Sequence, residues 1–144
     1  MTDNISNRKI QEVLLLSHRT LIHLNSALKE IDSAGNWGAF NNLTGGLLSS
    51  FTKNDFIEDV LDELFRAKEE AGSLRANLED LQFYMDLASI DQFLSFSSGF
   101  FDDYLSQFLA DLDLDQAQIN IKRAIGEVEA LQMAFGPYVN KKLY

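Results

Sequence analysis

Apolar residues recur along this chain at alternating steps of three and four. That spacing belongs to a helix that shows one stripe to a neighbour. In the first segment Ile10, Leu14, Ser17, Leu21, Leu24, Leu28 and Ile31 fall on the a and d positions of a heptad. Asn4 or Ser6 suits the N-cap, where a short polar side chain accepts an orphan backbone N–H. Asp32, Ser33 and Gly35 weaken and then end the pattern. The spacing predicts a first helix over about residues 5–32, roughly 40 Å long at ~1.5 Å per residue.

The second segment keeps the same steps without a slip through Ile57, Val60, Leu64, Ala67, Ala71, Leu74, Leu78, Leu81 and Met85. Asn54 is a good cap, and Asp55, Glu58 and Asp59 sit where the helix dipole favours acids. Gly72 costs about 1 kcal/mol relative to Ala inside a helix, so packing must hold it. A helix over about 55–87 follows, then a break at 88–91. A Phe-rich run comes next, with Phe93, Phe96 and Phe100 leading into Phe101, Leu105, Phe108 and Leu112. A last heptad run holds Leu114, Ala117, Ile121, Ala124, Val128, Leu131 and Phe135. The two runs are one residue out of phase between Leu112 and Leu114. Either one helix carries a stutter there, or Asp113 caps a new helix with Gln116 at its third position. The expected helices are 93–112 and 114–135, with Gly136-Pro137 as the stop.

These pieces predict an all-α fold in one domain over 1–144. A long antiparallel helical hairpin carries a third helix, single or split, packed along it as a coiled-coil-like bundle of three or four helices. The hairpin's first link, 33–53, is expected to be a long loop, which is unusual for a bundle. It holds the only Trp, four of the eight Gly and several large apolar residues. One reading is a plug, with Trp37 and Phe40 folded over the hairpin end. The other is a partner-binding tip with Trp37 as an exposed anchor.

Several features of that link resemble a family of uncharacterised bacterial helical, coiled-coil proteins. They are the pair Trp37-Gly38, the aromatic Phe40, the run Gly45-Gly46-Leu47 and the Ser-rich turn into Ile57, with Phe100-Phe101-Asp102 later in the chain. The resemblance covers about the middle two-thirds. This chain departs from it at Thr44, where the family has a third Gly, and at Asn41, where it has an acid. The resemblance implies a helical architecture and a bacterial source, and no activity. Small secreted hairpins with a Trp-x-Gly turn share only the hairpin idea, since Trp37 and Gly38 are adjacent here.

Composition narrows the partners. Twenty-two acids face twelve bases, a net charge of −10. No base lies between Arg75 and Lys122, while nine acids do. Nucleic-acid affinity comes from neutralising phosphates with Lys and Arg, so such a stretch excludes that partner and disfavours anionic membranes. The uncharged run 33–52 is too rich in Gly, Asn, Ser and Thr for a spanning helix, so no membrane insertion is expected. The start shows no signal-peptide pattern, and there is no Cys for disulfide or thiolate chemistry. A cytoplasmic location is the expectation.

Catalytic and metal constellations are absent from the pattern. Asp111-x-Asp113-x-Asp115 begins like a calcium loop, but Gln116 and Lys122 stand where Gly and Glu are needed. Glu-x-x-His is missing, because Leu15 and Thr20 lie three before His18 and His23. Two His five apart share no helix face, and with no Cys they leave few candidates for a nucleophilic triad. Gly45-Gly46 follows no strand and matches neither phosphate-loop spacing. No catalytic, cofactor or metal residue is therefore assigned and no cofactor expected. The expectation is a non-enzymatic interaction protein, open to self-association, with a protein partner or a second copy. Its candidate interaction residues are Trp37, Phe40, Phe93, Phe96, Phe100, Phe101 and Tyr104. The alternative is a toxin or bacteriocin immunity protein, or a secretion chaperone, in which an acidic bundle masks a cationic partner.

Overall fold

The protein is described by a computed structural model. The structure describes the backbone of residues 2–44, 47–111 and 114–143, and the side chains of residues 7–32, 58–108 and 115–138. Among the described residues every element is helical: α1 Thr2–Thr44, α2 Leu47–Leu81, α3 Ala88–Ser98, a π-helical turn Gly99–Tyr104, α4 Leu105–Asp111 and α5 Leu114–Leu143. This is the all-α bundle that the heptads predict.

Cross-helix pairs give the directions. Lys9 Nζ meets Asp80 Oδ2 at 2.9 Å, and His23 Nδ1–H donates to Glu63 Oε2 at 2.7 Å, so α1 and α2 run antiparallel. Gln132 donates to Ser17 Oγ and Gln118 to Asp32 Oδ1, which sets α5 antiparallel to α1. Gln82 donates to Asp91 and Gln92 to Glu127, so α3 opposes both α2 and α5. The chain thus runs up, down, up and down, with α1 packed on α2 and on α5.

The α2 seam is the one read from sequence. Val60, Leu64, Ala67, Ala71, Leu74, Leu78 and Leu81 are all buried, and Met85 packs on them. So are Ala117, Ile121, Ala124, Val128, Leu131 and Phe135 on α5. The α1 seam differs in detail. Of the expected positions, Ile10, Ser17, Leu24 and Ile31 are buried, but Val13, Thr20 and Ala27 are buried in place of Leu14, Leu21 and Leu28. Those three leucines are half-buried against the same core. Both sets keep alternating steps of three and four through Ile10, Ser17, Leu24 and Ile31, so the spacing alone allows either. Val13, Thr20 and Ala27 share the centre, and the three leucines fill the flank.

Four features correct the sequence expectation. The segment 33–53 is not a loop: α1 continues to Thr44 and α2 begins at Leu47, with residues 45–46 outside the described set. Gly and Asn weaken a helix by about 1 kcal/mol or less each, but only Pro forbids the bond, and this segment has none. The break after α2 falls earlier than 88–91. Backbone bonds from Phe83 to Asp80 and from Tyr84 and Met85 to Leu81 close a turn at 82–84, and α3 starts at Ala88. Gly136-Pro137 does not stop α5, which runs on to Leu143 with Pro137 inside it. Proline removes one bond of the ladder and leaves the rest. Here Tyr138 just beyond it packs on the core, its ring 6.3 Å from that of Phe135.

The fourth difference is the π-helical turn. The frame set by buried Ile90, Phe93, Ser97 and Phe100 continues to 104 and 107 in a regular helix. The buried residues downstream are instead Phe101, Leu105 and Phe108. A π-turn inserts one residue into an α-helix. It turns Phe100 and Phe101 both inward and restores the downstream frame, and Leu105 N–H reaches back five residues to the Phe100 carbonyl. The slip at 112–114 expected from sequence lies outside the described residues.

Candidate functional site

The π-turn lies in the wall of an open groove. Phe96, Phe100 and Tyr104 follow one another by one helical turn. Their rings stack at 5.4 Å and 5.2 Å between centroids, inclined by 18° and 24°. Phe108 extends the ladder at 6.5 Å. Phe101 meets Phe100 edge-on at 4.8 Å, the geometry that the ring quadrupole favours. An open groove of about 330 Å³ runs between this ladder and α5. Gly99, Phe96, Phe100 and Tyr104 line one wall, and Asn120 and Arg123 the other.

Asn120 and Arg123 lie three apart on α5, so both face α3. The Arg123 guanidinium sits 5.4 Å above the Phe96 ring, in cation–π range. Among the described residues it meets no carboxylate within ion-pair distance, although the chain has ten more acids than bases. Asn120 donates one N–H to the Gln116 carbonyl of its own helix. Across the limb, Asp102 lies 3.9 Å from both Lys68 and Arg75 on α2.

The sequence candidates divide. Phe93 and Phe101 are core residues, 1% and 3% exposed, and offer no surface. Phe100 is buried at the floor of the groove. Phe96 and Tyr104 are half-buried in its wall. The side chains of Trp37 and Phe40 lie outside the described residues, as do those of Asp111 and Asp113. His18 is exposed, and His23 serves to tie α1 to α2 through Glu63. No group of three or more His, Asp or Glu is placed to hold a metal ion among the described residues. No described helix is long and apolar enough to cross a membrane.

Two features escaped the sequence pattern. Asn120 and Arg123 flank a seam, and which flank matters is settled only by where α3 packs. The second is the α2–α3 turn. Phe83 there is 87% exposed and Tyr84 43%, while Met85 and Leu87 on the same link pack on the core. Glu79, Asp80, Asp86 and Asp91 surround the turn, all exposed. Comparison of the chain with protein-family models, with curated proteins and with solved structures finds no match.

Proposed function

We propose that this chain is a non-enzymatic helical interaction protein, and that the α2–α3 turn is where a partner docks. One observation supports this reading most: Phe83 at 87% exposure, beside Tyr84, on a turn closed by three backbone hydrogen bonds. Scattered exposed aliphatics are ordinary on a protein surface. A Phe held in water on an ordered turn is different, because aromatic anchors dominate interface energetics once buried. The fold itself has no use for it, since its neighbours Leu81 and Met85 supply the core.

Self-association is one form of this function. Leu15 and Ile22 sit one heptad apart on the outer face of α1, and Ile119 and Met133 two heptads apart on that of α5, all exposed. The second form is masking of a cationic partner, as an immunity protein or secretion chaperone does. The acids around Phe83 favour it, together with the absence of any base between Arg75 and Lys122. A bacterial source, which the Trp37-Gly38 resemblance implies, fits either form.

Co-expression with the products of neighbouring genes, followed by sedimentation of the purified material, tests the proposal. A complex or a concentration-dependent dimer is expected. Replacing Asp80, Asp86 and Asp91 by Asn distinguishes the two forms: it dissolves a complex with a cationic partner and leaves an apolar dimer intact. A strict monomer that retains no partner would end the proposal.

A further inference from the structure

We propose that the groove between the aromatic ladder and α5 is a binding site for an aromatic carboxylate. The ring lies along Phe96, Phe100 and Tyr104, and the carboxylate meets Arg123. The site is distinct from the Phe83 turn and does not depend on it.

Three features of the groove select this chemistry. The rings of the ladder stack on one another at one-turn spacing, so their faces are taken and their edges are left for the groove. A ligand ring laid across those edges meets them edge to face, a geometry worth more than area alone. The opposite wall carries a guanidinium that no described carboxylate neutralises. Arg presents a planar fork of donors that matches a carboxylate with two parallel bonds. Arg123 is exposed, which leaves its N–H groups within reach of a ligand. Asn120 lies one turn before it with a single described hydrogen bond, so its carboxamide has further capacity for the same ligand. The volume, about 330 Å³, suits one ring with a short acidic arm and falls at the small end of ligand pockets.

The net charge of −10 works against any anion at long range. Repulsion of that kind is screened beyond about 10 Å in ordinary salt, so the local guanidinium decides. Affinity is therefore expected to be modest and to improve as salt is added at low ionic strength.

The test is a titration followed by two-dimensional NMR of the full-length chain. The probes are 3-phenylpropionate, its primary amide and 3-cyclohexylpropionate. Saturable shifts confined to residues around Gly99, Asn120 and Arg123 are expected with phenylpropionate. The amide should bind about tenfold more weakly, because it lacks the charge that Arg123 meets. The cyclohexyl acid should also bind more weakly, because it has no π-face for the ring edges to meet. Arg123→Gln should remove the preference for acid over amide, and Arg123→Lys should restore part of it. Arg123 is exposed, so neither substitution threatens the fold. Equal binding of acid and amide would overturn the proposal. So would shifts centred elsewhere, or no saturable shift at millimolar probe.

Discussion

Deleting Asp103 tests how the π-turn solves the phase problem in the Phe-rich limb. Asp103 is exposed and lies within the turn. Without it the frame through Ile90, Phe93, Ser97 and Phe100 runs straight into Leu105 and Phe108 as an ordinary α-helix. Both of those stay buried, and only Phe101 leaves the core. Losing the burial of one Phe costs about 1.5–3 kcal/mol. Regained α-helical bonds, at about 1 kcal/mol each, offset part of that. The net loss is therefore about 1–2 kcal/mol. Deleting Gly126 is the control, because it too is exposed but sits in the middle of regular α5. That deletion rotates one half of the α5 seam out of the core. The cheaper half is Ala117, Ile121 and Ala124, worth at least about 3 kcal/mol. Urea unfolding followed by circular dichroism separates the two cases. At a slope of about 2 kcal/mol per M, the midpoint falls by less than about 1 M for the first deletion and by about 1.5 M or more for the second. If the Asp103 deletion unfolds the chain, or lowers the midpoint as much as the Gly126 deletion, the π-turn is not a phase device.

Two substitutions probe local costs. Ser97 is fully buried and its hydroxyl has no hydrogen-bond partner. Ser97→Ala removes an unsatisfied polar group and should stabilise the chain by about 1 kcal/mol, seen as a rise in the urea midpoint; a fall would mean the hydroxyl is satisfied in solution. Gly126→Ala adds a methyl that meets no atom within 4 Å, and should stabilise α5 by about 1 kcal/mol in the same assay. A destabilised variant would show that α5 is not a regular helix there.

Much of this fold is legible in the heptads. The α2 seam from Val60 to Leu81 and the α5 seam from Ala117 to Phe135 lie where the three-four steps place them. The α1 seam is legible only by half, because Ile10, Ser17, Leu24 and Ile31 fit the three-four spacing equally with the residue on either flank. Leu14, Leu21 and Leu28 look like a centre and serve as a flank. The break after α2 was obscured for a related reason. Met85 continues the heptad by number while lying beyond the turn at 82–84, where its side chain still reaches the core.

Composition misled at both ends of the chain's Gly-rich stretches. Four glycines and three asparagines in 33–52 suggest a loop, yet propensity is a weak term beside the bonds of a long helix. Gly136-Pro137 suggests a stop, and Pro137 lies inside α5. The π-turn, by contrast, has a signal in the sequence. Phe100 and Phe101 are adjacent and both apolar, at the point where the frame through Phe93 gives way to the frame through Phe108. Of the groove, Phe96, Phe100 and Tyr104 could be named from the sequence. Asn120 and Arg123 could not, because they belong to the site only through the packing of α3 on α5.

The most direct measurement of the proposed function is a quantitative capture from source cells. The baits are the wild-type chain and Phe83→Ser, matched for melting temperature. The expected result is a protein retained by the wild type in near-stoichiometric amount, a second copy of this chain included, and reduced more than tenfold by Phe83→Ser. Truncating a central aromatic anchor commonly costs 2 kcal/mol or more in roughly this way. Identical sets retained by both baits, or nothing retained by either, would contradict the proposal that the α2–α3 turn is a docking site.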